Sequence, residues 1–306
     1  MKKYITYFTA PLLALHCLCA CTEKIGAYYP ERDIDYTRWY NDDEEDDFSQ
    51  QQIMLMSSNV RYGSSKTDTG DKNWSNRSAG WFEMLNTIHP TICGLQECEA
   101  LQLQDILRNC PDYDYYGVGR EDGKDMGKGE HMAILYLRDS VILGDHGTIW
   151  LTETPDVPSK YALADCYRTA TWAKFKLKST GREFFVLNTH LDFAAAQALE
   201  MQVIMNLIDE KSGNLPTTMN ADWNTTEDNS IFDYMYKTFS SARQTAVTGD
   251  TYNTYNGFSK FAGTSKIDHF FYRNYDSCAK FVTVRQKWAG YQFISDHYPI
   301  YTVLNF

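Results

Sequence analysis

From residue 51 onward, ten short runs rich in β-branched and aromatic residues alternate with only three segments of helical periodicity. The strand-like runs are 53–60, 91–96, 113–118, 132–137, 141–151, 170–177, 183–189, 266–272, 280–287 and 298–304. The helical segments are 74–88, which Pro90 ends, 100–108 and 194–211. In the last, Leu199, Val203, Leu207 and Ile208 recur on one face and Gly213 follows the end. Strands outnumber helices and many neighbours read as hairpins, so a simple parallel sheet is a poor fit. The pattern predicts an α/β (α+β) domain in which two sheets pack together with helices outside.

The first fifty residues differ in kind. Lys2 and Lys3 precede an uncharged apolar run from Tyr4 to Ala20, short for a membrane span and ended by small residues. Leu18-Cys19-Ala20-Cys21 resembles the end of a bacterial lipoprotein signal, with Cys19 as a departure. Residues 1–20 are therefore expected to be a signal peptide and Cys21 the lipidated residue. That makes the protein an exported lipoprotein anchored at a membrane, facing the periplasm or the cell surface. Residues 21–50 carry the run Asp42-Asp43-Glu44-Glu45-Asp46-Asp47 and read as a solvated acidic tether. Residues 51–306, with no repeat or second linker, are long enough for one large domain.

Charge and cysteine content narrow the function. Of the formal −11, residues 1–50 contribute 5 of the 29 Lys and Arg and 10 of the 40 Asp and Glu. The domain keeps 24 against 30, or −6. A broad basic face for duplex binding does not fit that balance. Cys93, Cys98, Cys110, Cys166 and Cys278 match no zinc framework and read as small buried hydrophobes.

Chemistry is expected where polar residues interrupt apolar strands. Asn59 and Glu97 end the first two strands, and Asn188, His190 and Asp192 end the strand before the long helix. Asp222 and Asn224 follow that helix. Asp268-His269 opens a late strand, and Asp296-His297 precedes the last. Strand ends deliver such groups to one rim of a sheet. Hard carboxylate and amide oxygens suit a divalent ion such as Mg²⁺, with Mn²⁺ or Ca²⁺ as alternatives, better than zinc. Imidazole and amide donors suit charge developing on a phosphoryl group, and a carboxylate suits the activation of water.

Asn59-Val60-Arg61, Gln96-Glu97, Asn188-Thr189-His190-Leu191-Asp192, Ala221-Asp222-Trp223-Asn224, Ile267-Asp268-His269 and Ser295-Asp296-His297 stand in one order. In that order they resemble the endonuclease/exonuclease/phosphatase superfamily across residues 53–306. The resemblance implies a four-layer sandwich of two mixed β-sheets flanked by helices. It also implies a metal-dependent hydrolase of phosphate esters, whether phosphodiesterase, nuclease or phosphatase. By the same resemblance Glu97 is the principal metal carboxylate, with Asn59 and Asp296 beside it. Asp222 holds the attacking water, Asn224 contacts the scissile phosphate, and Asn188 belongs to the substrate-binding set. His190 and His297 flank the phosphoryl oxygens, oriented by Glu130 and Asp268 respectively. Arg168, in Tyr167-Arg168-Thr169, resembles a phosphate-binding arginine. Ala221 departs from the pattern, which has Gly there; Ala strains that turn only if φ is positive.

Taken singly, each residue has a plainer reading. Asn188 fits a satisfied core amide, Asp222 and Asn224 fit an Asx turn, and Arg168 fits an ion-pair partner. His131 and His269 alternate onto the opposite face of their strands and read as structural. Among the tryptophans, Trp223 has the best position for a site role because it lies between Asp222 and Asn224. The competing function is a non-catalytic surface lipoprotein that binds a phosphorylated or glycan ligand. The expected substrate is a small phosphoester or a single-stranded end rather than duplex DNA. No protein partner is inferred, and the membrane is met through the lipid anchor.

Overall fold

The computed structural model describes residues 52–260 and 265–306. The expected signal peptide 1–20, the tether 21–50 and the lipidation site Cys21 lie outside the described residues. The larger sheet has seven strands. They are β1 (Gln52–Asn59), β2 (Ile92–Gln96), β4 (Tyr113–Tyr116), β6 (Ile134–Leu137), β12 (Thr248–Gly249), β14 (Ser277–Thr283) and β15 (Ile300–Asn305). Their order is β12-β14-β15-β1-β2-β6-β4. The second sheet has six: β7 (Val141–Trp150), β8 (Thr169–Leu177), β9 (Glu183–His190), β10 (Thr217–Asp222), β11 (Ser240–Ser241) and β13 (Asp268–Arg273). Their order is β11-β13-β10-β9-β8-β7. A two-stranded ribbon pairs β3 (Cys98–Glu99) with β5 (Glu130–His131).

Both large sheets are mixed, and each has a parallel pair near its centre. β1 runs parallel to β2, with Asn59 opposite Gln96. β9 runs parallel to β10, with His190 opposite Asp222. Parallel strands end at the same edge, so those residues share one rim. Antiparallel β13 starts there, with Asp268 opposite Asp222, and Asp296-His297 lead into β15, antiparallel to β1. Topology alone thus gathers residues as far apart as 59 and 297.

The side-chain period of two decides what lies between the sheets. Ile53, Leu55, Ile92, Ile134, Phe175, Phe184, Val186, Phe270 and Leu304 fill that space. The intervening residues face outward. Met56, Cys93 and Leu95 pack with Trp81, Met84 and Leu85 of the helix Trp74–Ile88 and with Leu103 and Ile106 of the helix Ala100–Asn109. Phe185, Leu187, Met219 and Ala221 pack with Met201, Ile204 and Ile208 of the helix Ala194–Lys211. Helix, sheet, sheet, helix is the four-layer sandwich the motifs implied.

Two departures from the sequence reading stand out. The strand expected over 280–287 lies at Ser277–Thr283. The strand β10 carries Thr-Thr-Met-Asn-Ala-Asp, too polar to register as a strand by periodicity, yet every residue of it is buried.

Candidate active site

Below the rim, the last inner-facing residues of the central strands form a polar layer. Asn188 Nδ2 donates to Leu95 O (2.7 Å) and Ala133 O (3.0 Å) across the sheet interface. Its Oδ1 accepts from Gln96 Nε2 (2.6 Å) and Asn220 Nδ2 (2.8 Å). Four bonds exhaust a carboxamide. Asn188 is therefore a rivet between sheets and not the substrate-binding residue expected; the plain reading of a satisfied core amide is the right one. Gly94 makes room for it, since a Cβ there would stand 2.1 Å from Asn220 Nδ2 and 2.6 Å from Asn188 Oδ1.

One step further along the same strands lies the rim. His297 Nδ1 donates to Asp268 Oδ2 at 2.8 Å, which fixes the ring's direction as expected of an imidazole held by a carboxylate. Asp222 Oδ2 stands 3.5 Å from His297 Nε2 and 3.4 Å from His190 Nε2. Asn224 Nδ2 reaches His190 Nε2 at 3.0 Å. Asn59 Nδ2 donates to both Glu97 Oε1 and Asp222 Oδ2, each at 3.0 Å. The rim thus brings together Asn59, Glu97, His190, Asp222, Asn224, Asp268, Asp296 and His297.

Burial and charge drive the two imidazoles apart. Burial works against a charged His297, but Asp268 and Asp222 outweigh it and hold its pKa well above the ordinary range. Burial, with Arg168, Arg120 and His297 nearby, holds His190 well below. The two rings are thus pushed in opposite directions, His297 toward its charged form and His190 toward its neutral form. Burial, helped by Asp268 and opposed by His297, pushes the Asp222 carboxyl up to about 7. Burial, with Glu97 beside it, also raises Asp296.

Those carboxylates bear on the implied metal. Glu97, His190 and Asp222 each place a ligand atom within 4.8 Å of the others. Glu97 and Asp296 both approach one guanidinium, that of Arg61, at 3.9 and 3.6 Å. Oxygen donors gathered in this way fit a divalent ion. Asn59 lies beside the carboxylates as expected: its Oδ1 accepts from Arg61 N–H (2.9 Å) and keeps a second lone pair, and its NH₂ donates to Glu97 and Asp222.

Glu130 needs a further correction. It does not orient His190: its carboxylate pairs with Arg120 at 2.7 Å, and His190 Nδ1 has no hydrogen-bond partner among the described residues. Trp223 is fully buried against Phe232 and Phe271, its indole N–H on His269 O, so it belongs to the core. His131 and His269 are likewise buried, on Cys98 O and on Thr225 O with Glu227. Arg168 is buried, 3.9 Å from Asp192 Oδ1, with its Nε unpartnered among the described residues. Ala221 lies in extended β10, outside the positive-φ set, so the missing glycine costs no strain. The described cysteines are free, and all but Cys166 are buried.

Strain does occur at the rim. Arg61 (φ 56°), Glu97 (φ 57°) and Asn224 (φ 51°) all occupy the left-handed region despite carrying side chains, a placement that marks functional sites. Sequence reasoning missed Arg77. It is fully buried in the helix Trp74–Ile88 and donates to the carbonyls of Val60, Arg61, Lys72 and Ile294 at 2.7–2.8 Å. It also missed Tyr255, whose ring lies edge-on to His297 at 5.2 Å. Neither residue sits in a recognisable motif; Arg77 announced itself only as a lone charge on a helix face that otherwise packs.

Comparison with known proteins agrees with the geometry. No family model matches the chain. A solved endonuclease/exonuclease/phosphatase family protein from Bacteroides thetaiotaomicron is 31% identical, with a TM-score of 0.77 over 84% of this chain and 99% of its own. A mannosyl-6-phosphatase from the same organism is 31% identical, with a TM-score of 0.76 over 83% of this chain and 100% of its own. An uncharacterized protein of Acanthamoeba polyphaga mimivirus is 24% identical over 252 residues, 74% of this chain and 90% of its own.

Proposed function

The chain belongs to the endonuclease/exonuclease/phosphatase family, and we propose that it is a divalent-metal-dependent phosphatase acting on small phosphate monoesters, phosphorylated sugars foremost. The observation that carries this reading is the Asp222 carboxylate, buried at the rim within 3.5 Å of both the His297 and the His190 imidazole. Asp222, poised near neutrality, accepts the proton of the attacking water. The His297 cation, held by Asp268, neutralises charge gathering on the phosphoryl oxygens, and neutral His190 with Asn224 orients the group from the other side. Glu97 and Asp296 would hold the ion, with Asp222 and His190 near Glu97, and the ion would polarise a phosphoryl oxygen. The likeness to a mannosyl-6-phosphatase supports a sugar phosphate. The domain's net −6 supports a substrate with few phosphates over duplex DNA.

Turnover of a panel tests this: mannose 6-phosphate, other sugar phosphates, an aryl phosphate monoester, its diester, and single- and double-stranded DNA. Each is assayed with Mg²⁺, Mn²⁺, Ca²⁺ or chelator. The expected result is metal-dependent phosphate release, fastest from a sugar monoester. Full turnover in chelator, or preference for DNA, would contradict it. Membrane display through Cys21 rests on the N-terminal residues, and Cys21→Ser should then leave the protein unprocessed or soluble.

A further inference from the structure

Arg61 holds a position at the rim that substrate hydrolysis alone does not explain. Three hydrogen bonds lock its left-handed backbone. Its N–H donates to Asn59 Oδ1 (2.9 Å), and its carbonyl accepts from Arg77 Nη2 (2.7 Å) and Gln102 Nε2 (2.9 Å). The guanidinium is equally fixed. Nε donates to Asp68 Oδ2 (2.9 Å), Nη2 reaches Asp68 Oδ1 and Ser65 Oγ (both 3.4 Å), and the fork lies 4.5 Å over the Tyr62 ring. That leaves Nη1, which stops 3.6 Å from Asp296 Oδ2 and 3.9 Å from Glu97 Oε2. These are ion-pair distances and not hydrogen bonds. Asp68 keeps the fork from closing onto the two carboxylates.

We infer that Arg61 is a built-in second cation of this centre, sharing Glu97 and Asp296 with a single divalent ion and lowering the site's affinity for it. The inference rests on the reading of Glu97 and Asp296 as the metal carboxylates. A fixed positive charge at this distance in a partly buried pocket repels an incoming cation strongly. It also gives both carboxylates a fixed counter-charge before the ion arrives. Asp68 sets how much of the Arg61 charge the pair feels.

The test is Mn²⁺ titration of the intact chain without substrate, following the free-ion electron paramagnetic resonance signal. Arg61→Met should bind Mn²⁺ at least about tenfold tighter than the wild type. Arg61→Lys, which keeps the charge, should stay nearer the wild type. Asp68→Asn, which frees the fork to close on the carboxylates, should bind more weakly, a sign opposite to Arg61→Met. Glu97→Ala should lose binding over the same range. Unchanged or weaker affinity in Arg61→Met, with Glu97→Ala still defective, overturns the role of Arg61 alone. A wild type that takes up no Mn²⁺, or a Glu97→Ala that binds normally, overturns the metal reading and this inference with it. Thermal melts establish that each variant is folded; if Arg61→Met is not, the Asp68→Asn result decides, and affinity equal to or above wild type rejects the proposal.

Discussion

The space between the two sheets has two ends built on opposite principles. At one end Ile53 and Leu55 of β1 and Phe184 and Val186 of β9 pack as an apolar core. At the other, these strands and their parallel neighbours carry Ser57, Gln96, Asn188 and Asn220, all buried and bonded to one another. The apolar end is held by removal of surface from water, which tolerates small changes of shape. The amide end is held by directional bonds whose loss leaves buried polar groups unpaired, so it tolerates almost none. The rim then stands on the rigid end. Asn188 and His190 are two residues apart on β9, and Asn220 and Asp222 two apart on β10, so each rivet fixes a rim side chain on the same face.

That contrast can be broken at Gly94. Its Cβ has no room beside Asn220 and Asn188, so Gly94→Ala should cost about 3 kcal/mol or more in urea unfolding. A loss below about 1 kcal/mol would mean that the amide layer is as pliable as the apolar end.

A second test sharpens the difference between a satisfied carboxylate and a reacting one. Burial opposes ionisation of Glu227, yet bonds from His269, Gln244 and Ser241 bring it down to about 2. A carboxyl lowered in the folded state adds stability above its unfolded value near 4.5 and loses it as pH falls through its folded value. Glu227→Gln should therefore be less stable than the wild type by about 2 kcal/mol at pH 6. The difference should disappear as pH drops from about 4.5 to about 2. A gap that persists unchanged at pH 2 would contradict the assignment.

The smallest effect belongs to the apolar end. Ile53→Val, which removes one buried methylene, should cost about 1 kcal/mol and leave turnover unaltered. A change in rate would show that the two ends are mechanically coupled.

The same contrast explains what was legible in the sequence. Apolar alternation revealed ten of the strands and the long helices, because the apolar end obeys a period that composition records. The motif residues were legible as interruptions at strand ends, and parallel pairing then put them on one rim. The amide layer was not legible. Asn188 in a strand looks the same whether its partners are carbonyls of the other sheet or a ligand, and β10 hides because Thr217, Thr218, Asn220 and Asp222 put polar side chains at buried positions on both of its faces. Glu130 was misassigned for a related reason: spacing says that a carboxylate is near, not that Arg120 has already claimed it.

The central claim is that Asp222 carries the reaction at a cost to the fold. A carboxyl raised on folding adds stability fully below its unfolded value near 3.8 and loses it as pH rises through its folded value, here about 7. Asp222→Asn removes that loss. Paired measurements at pH 8, turnover of a sugar phosphate and the urea midpoint, test the claim most directly. The account predicts turnover down by about 10² or more and stability equal to or above the wild type. Turnover near the wild-type level together with a lowered midpoint would make Asp222 a structural residue and contradict the account.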